Sequence, residues 1–306
     1  MKKDPGVTLV ELLISLSLAV FVLTLAFFIF QRQFKYSLIQ RSKSVLQVES
    51  YTGVNLIVYD IIHAGFGLRK DVKPIYSIDS SPDTLFIIGN AGRTDRTPAW
   101  SILVKKATLS PNLTVRKWVK GNIKAGDWII ILTDTKGFLA GPFPVLDVTD
   151  VDGPDLNGDG SPDPCLEIKL SADNPVTAGK ASLVFTTSPN HTHDTVKYYI
   201  SNGVLYRNES PVIDSVEDFE VSFLLDTDNN GIYDTWTTDI NSLNAEQIET
   251  QLGLVRFSIL VKSSQRDPSY TFPEKSVRIE EHVYEIEDPH YRRVIVTKRV
   301  IPRNIR

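Results

Sequence analysis

The run from Val7 to Phe30 constrains this chain more than any other stretch: VTLVELLISLSLAVFVLTLAFFIF is 24 residues long and holds one charge, Glu11. At about 1.5 Å rise per residue, roughly 20 such residues cross a hydrocarbon core of about 30 Å as a helix. A cleaved secretory signal would have a shorter apolar core followed by small residues, whereas Gln31, Arg32, Gln33 and Phe34 follow here. The expectation is one retained span over 7–30. Lys2 and Lys3 stand before it, so the positive-inside rule places the N-terminus in the cytoplasm and the bulk of the chain outside.

Glu11 is the anomaly in this run. A carboxylate in an apolar helix is costly to insert and marks a functional site, whose natural partner is a cation at the same depth. Cleavage between Gly6 and Val7 would supply one, the new α-amino group of Val7, in the same or a neighbouring subunit. The stretch Gly6-Val7-Thr8-Leu9-Val10-Glu11-Leu12-Leu13-Ile14-Ser15 resembles the prepilin motif of type IV pilins and type II secretion pseudopilins. That resemblance implies a leader over 1–6 removed by prepilin peptidase, N-methylation of the new terminus, and a glutamate that guides filament assembly. Val7 departs from the Phe or Met usual in the family.

The helical pattern runs on past the span. Polar residues dominate from Gln31 to Ser44, and then Val54, Ile57, Val58, Ile61 and Ile62 recur at i, i+3, i+4, i+7 and i+8, a stripe that would lie against a domain. Gly53 weakens the helix by about 1 kcal/mol relative to Ala, and Gly65 and Gly67 are stop signals. The expected N-terminal helix thus spans 7–67, amphipathic from 31, with Val7 to Ala64 roughly 85 Å long at about 1.5 Å per residue. The end Asp60-Ile61-Ile62-His63-Ala64-Gly65-Phe66-Gly67 is similar to that of the PilW-like minor pilins. His63 reads as a helix-end cation near the last carbonyls.

Beyond Asp71 the sequence reads as strands. Thr84–Ile88, Ser101–Lys105, Thr114–Val119, Asp127–Thr133, Val145–Val148, Leu166–Leu170 and Leu183–Thr186 are rich in β-branched and aromatic residues and separated by Gly, Pro, Asn and Asp. Lys197–Arg207 is a hairpin, because Asn202-Gly203 suits a two-residue type I′ turn. Val216–Leu225 follows as a strand, and Ala245–Leu252 as a short helix with Asn244 as N-cap and Gln247 completing a capping box. Val255, Phe257, Ile259 and Val261 alternate with Arg256, Ser258, Leu260 and Lys262 in a half-buried strand, and Val277–Ile286 and Val294–Ile301 complete the set. The hairpin, the strand entering an acidic loop and the closing Tyr291–Asn304 also look PilW-like. Residues of about 73–150 match no motif and read as an inserted β subdomain. The fold class is α+β: a long N-terminal transmembrane α-helix packed on a large antiparallel β-rich head over 68–306, pilin-like.

Two acidic loops fit D-x-[DN]-x-[DN]-G-x-x-D. In one, Asp155, Asn157, Asp159 and Asp163 supply side-chain oxygens and Ser161 a carbonyl; in the other, Asp226, Asp228, Asn230 and Asp234 supply side chains and Ile232 a carbonyl. Hard oxygens at alternate positions of a Gly-permitted turn suit Ca2+. An EF-hand would carry Glu at the twelfth position, where Leu166 and Thr237 stand, so the expectation is one or two weak sites of about 10⁻⁴–10⁻³ M. The plain alternative is exposed Asx turns.

The rest of the chain argues against chemistry. His191-Thr192-His193-Asp194 reads as a solvated loop, no phosphate loop or nucleophile elbow is present, and an enzyme is not expected. Cys165 is the only cysteine, so no intrachain disulfide forms, and it reads as a small core residue beside the first acidic loop. A net charge of −4 does not favour nucleic acid as the main partner, and the basic Tyr291–Arg306 segment reads as a charged solvated edge. The PilW-like resemblance implies a minor type IV pilin that primes pilus assembly, at the tip, in the service of twitching motility and cell adhesion. Its partners would be prepilin peptidase, other minor pilins, the major pilin and the inner-membrane assembly platform. A single-pass inner-membrane protein with a periplasmic head would precede the filament. The alternatives are a J-like minor pseudopilin of type II secretion, and a calcium-dependent adhesin or DNA-uptake tip pilin on the same scaffold.

Overall fold

The structure, a computed structural model, describes residues 9–90, 98–118, 121–189 and 191–305. Helix α1 (Leu9–Ile62) is continuous over 54 residues, about 80 Å at 1.5 Å per residue, with no proline to break it. It stops where Gly65 and Gly67 take left-handed conformations, φ +79° and +62°. The exposed end carbonyls find donors: His63 Nδ1 lies 2.8 Å from Tyr59 O, and the Arg303 amide and Asn304 Nδ2 both donate to Ile62 O at 3.1 Å. The C-terminal tail therefore caps the N-terminal helix.

After the helix, β1 (Ile75–Ile78) and β2 (Thr84–Gly89) open a sheet that is finished only a hundred residues later. In between come β3 (Trp100–Ile102), β4 (Ala107–Ser110), β5 (Asn112–Arg116), β6 (Trp128–Leu132), β7 (Phe138–Pro144), β8 (Asp147–Asp152), β9 (Pro164–Lys169), β10 (Val176–Ala178) and β11 (Leu183–Thr187). These form sheets of order β3-β11-β6-β7, β5-β9-β8 and β10-β4 around their own core, which includes Leu113, Val115, Ile129, Ile131, Ile168 and Val184. Then β12 (Asp194–Ser201), β13 (Val204–Arg207) and β14 (Ser210–Asp214) return to the first sheet, order β1-β2-β12-β13-β14.

The last part is a second sheet, β16-β15-β17-β20, from β15 (Val216–Leu225), β16 (Thr235–Thr237), β17 (Leu252–Lys262) and β20 (Arg293–Val300). Helix α2 (Ala245–Gln251) precedes β17 and has the expected Asn244–Gln247 capping box. Among the described residues the strand β18 (Ser276–Ile279) pairs only with β19 (His282–Glu285). All strand pairs are antiparallel. Val54, Ile57 and Ile61 of α1 are fully buried in one core with Leu85, Tyr198 and Leu205 of the first sheet and Phe219, Phe223 and Phe257 of the second. The helical stripe read from the sequence is the face that docks.

The structure moves several boundaries. The second core draws on residues from Ala99 to Val184, not 73–150, because Ile75, Leu85 and Ile87 belong to the first core through the long-range pairing of Ile87 with Val196. Val277–Ile286 is a hairpin rather than one strand: Glu280 turns the chain with φ +54°. Asn202 and Gly203 have φ +51° and +75° and make the expected two-residue turn. Six short strands, β1, β4, β7, β10, β14 and β16, had no clear sequence signal.

Gly53 proves to be a contact, not a weakness. A Cβ there would fall 2.3 Å from Ile213 Cγ1 and 2.9 Å from Val212 Cγ1, so β14 side chains pack directly on the α1 backbone. Gly53→Val is expected to destabilise the protein by about 1–3 kcal/mol through overpacking. An unchanged thermal midpoint in that variant would mean the helix does not press on β14.

Candidate functional site

The first half of α1 is a surface without a cover. Every residue from Leu9 to Ser37 is exposed, and this segment is long and apolar enough to cross a membrane. An apolar area of this extent needs lipid or other helices against it. The hydroxyls of its apolar run are satisfied internally: Ser15 Oγ donates to Leu12 O at 3.0 Å, Ser17 Oγ to Leu13 O at 2.8 Å and Thr24 Oγ1 to Val20 O at 2.7 Å. That arrangement is what a segment in hydrocarbon requires. Glu11 stands exposed in the first turn of the helix, where the positive end of the dipole favours a carboxylate. Gly6 and Val7 lie outside the described residues.

At the other end, one buried ionic latch holds the helix to the head. Asp60 reaches from α1 to Arg207 Nε (2.7 Å) and a second guanidinium nitrogen (3.1 Å), and accepts a 2.5 Å bond from Tyr198 Oη. The Asp60 and Arg207 side chains are 1% and 10% exposed. Burial works against the Arg207 charge, but the Asp60 carboxylate more than offsets it and the net shift is upward. Burial, then the Asp60 charge, push the Tyr198 phenol up, so it stays a donor. The latch escaped the sequence reading, although a signal existed: the Asn202-Gly203 turn fixes the register that sets Tyr198 opposite Arg207.

The acidic loops sit at strand ends, the first between β8 and β9 and the second between β15 and β16. They fold alike. Asp155 accepts from the amides of Gly158 (2.6 Å) and Gly160 (2.8 Å), and Asp226 from Asn230 (3.1 Å) and Gly231 (2.8 Å). Asn157 and Asp159 accept from Asp159 and Ser161 amides; Asp228 and Asn230 accept from Asn230 and Ile232 amides. In each loop the first, third and fifth side chains thus turn onto the same short stretch of backbone. They differ at the ninth position: Asp163 accepts from the Leu156 and Asn157 amides, closing the first loop, whereas Asp234 accepts from Thr235 Oγ1. Hydrogen bonds from Gly160 and Gly158 hold the Asp155 carboxyl below its usual range.

The remaining sequence candidates are structural. Cys165 is buried at the neck of the first loop, with Gly153 packed on its sulfur. Among the described residues, His191 and His193 belong to no cluster of three metal-ligating side chains. The basic β20 is an edge strand with Val294 and Ile295 exposed, yet Arg293 is not solvated: its side chain is 2% exposed and pairs with Glu217 at 2.6 and 3.0 Å.

A helix whose apolar half stands clear while its other half is built into an antiparallel β head is the α+β architecture expected from the sequence. Residues 184–304 match the family model of type IV pilus-assembly protein W, PilW, a span holding the latch partners Tyr198 and Arg207, the β15–β17 sheet and the C-terminal cap. The match bears out the PilW-like resemblance. No curated protein matches the sequence. Among solved structures the chain is similar to a type IV-like pilin from Thermus thermophilus, at 11% identity and a TM-score of 0.40, over 85% of this chain and 97% of that one.

Proposed function

We propose that this chain is a minor type IV pilin of the PilW-like kind, whose work is assembly rather than catalysis. Prepilin peptidase cuts between Gly6 and Val7, the span then waits in the inner membrane with the head in the periplasm, and α1 leaves lipid for a helical bundle shared with other minor pilins and the major pilin. Glu11 then pairs with the Val7 amine of a neighbouring subunit. A head this large suits the tip of the filament. The observation that supports this most is the division of α1: exposed from Leu9 to Ser37 and apolar as far as Phe30, buried at Val54, Ile57 and Ile61. Mass spectrometry of the mature protein should find a chain beginning at methylated Val7; an intact leader would sink the reading.

We further propose that the two acidic loops bind Ca2+, supported by the shared folding of their first, third and fifth side chains. A tenfold excess of Ca2+ over Kd should raise the melting midpoint of the full chain in detergent by about 3–6 °C, since only the native loops gather the oxygens. The rise should halve in Asp155→Asn or Asp226→Asn. A flat response to several millimolar Ca2+ would leave both loops as Asx turns.

A further inference from the structure

Alternation along β15 gives Phe219, Val221 and Phe223 to the core and Asp218, Glu220 and Ser222 to the opposite face, which an isolated sheet would leave in water. Here β18–β19 lies over that face, with Val277 and Ile279 packed on Leu260 of β17, and Asp218 and Glu220 are each only 1% exposed. His282, the first residue of β19, enters from the covering hairpin. Its Nδ1 is 2.7 Å from Asp218 Oδ2 and 3.3 Å from Glu220 Oε1. On the other flank, one oxygen each from Asp83, Glu220 and Glu281 lie within 4.8 Å of one another, so Glu220 belongs to both groups.

The neighbours of Glu220 have donors. Asp83 accepts from the Ser80 and Val221 amides at 3.0 and 2.8 Å, Asp218 from the Phe219 amide at 3.0 Å, and the adjacent Glu280 from Ser222, Ser258 and Arg256. Glu220 Oε1 is buried and accepts no hydrogen bond. A buried carboxylate oxygen without a hydrogen-bond donor is costly, and the nearest group able to carry positive charge is His282, 3.3 Å away. A metal ion between these three side chains would take a donor atom from each and neutralise both carboxylates at once.

We propose that Asp218, Glu220 and His282 form a binding site for a first-row divalent metal of the Zn2+ or Mn2+ kind, which clamps the β18–β19 hairpin onto the β15–β17 sheet. One imidazole with two carboxylates is a donor set for these ions rather than for Ca2+. Tetrahedral Zn2+ with bonds of about 2.0–2.1 Å sets its ligand atoms about 3.3 Å apart. The Glu220–His282 separation already has that value, and the Asp218–His282 separation needs to open by roughly half an ångström. Asp83 and Glu281 add negative charge beside the ion, and the 27% exposed His282 side chain gives it a way in. The site is separate from the acidic loops and from Glu11.

The test uses the full chain in detergent, purified without a histidine tag and stripped with EDTA, then titrated with ZnCl2 and MnCl2. One equivalent should bind, and a hundredfold excess over Kd should raise the melting midpoint by about 5–10 °C. Co2+ should give the visible bands of a tetrahedral site, bleached by Zn2+. The response should survive Asp155→Asn with Asp226→Asn and vanish in Glu220→Gln and in His282→Ala. Glu220→Gln keeps the volume and removes the charge; if it fails to fold, His282→Ala at its partly exposed position carries the test. No binding up to millimolar metal, or an undiminished response in His282→Ala, would overturn the proposal and leave the cluster as carboxyls sharing protons.

Discussion

Asp60→Ala is expected to cost about 3–5 kcal/mol, because removing one partner of a buried ion pair leaves the other's charge inside the protein without its counter-charge. Arg207 would keep its guanidinium 10% exposed beside an empty carboxylate position, and the Tyr198 hydroxyl would lose its acceptor. For a chain of this size the melting midpoint should fall by about 10 °C or more. The loss should be local as well as global: limited proteolysis should cut near the foot of α1 before the head opens. Arg207→Leu combined with Asp60→Leu should recover part of the stability, since a well-packed apolar pair can replace a buried ionic one. A cost below about 1 kcal/mol in Asp60→Ala would show the latch to be incidental and the apolar stripe sufficient.

Glu11→Val is expected to leave membrane insertion intact and to reduce incorporation into pili by about 30- to 100-fold. Valine raises the hydropathy of the span, so insertion should not suffer. The reduction corresponds to about 2–3 kcal/mol for a close charge pair between subunits in a dry environment. The magnitude separates two roles for this residue. A carboxylate that only complements the helix dipole is worth about 0.3–1 kcal/mol, too little for such a loss. Immunoblots of sheared filaments against membrane fractions would measure it, and normal incorporation would count against the pairing with Val7.

What could be read in the sequence was local. The Val54–Ile57–Ile61 stripe, the Asn202-Gly203 turn, the Asn244–Gln247 cap and the bounds of Val216–Leu225 all follow from residues within a few positions of one another. Pairing partners do not: β2 meets β12 across more than a hundred residues, and Asp60 meets Arg207 across 147. Period-two alternation says which side chains share a face of β15 but not what lies on that face, so the burial of Glu220 under a later hairpin was hidden. The inserted core was misplaced for the same reason, since its edges are set by which strands join the first sheet. Glu11 was legible because a charge in hydrocarbon needs no fold to be conspicuous.

The cap on α1 ties the order of synthesis to the geometry of the finished head. The helix is made first, yet the groups that close its last carbonyl, Arg303 and Asn304, are made some 240 residues later, and β20, the edge strand it touches, only just before them. A head interrupted anywhere before residue 293 keeps its helix but has neither the strand nor the cap to seat it. Seating of the helix therefore waits on the last-made residues, and a chain broken before them would hold α1 through the Val54–Ile57–Ile61 stripe and the Asp60–Arg207 latch alone.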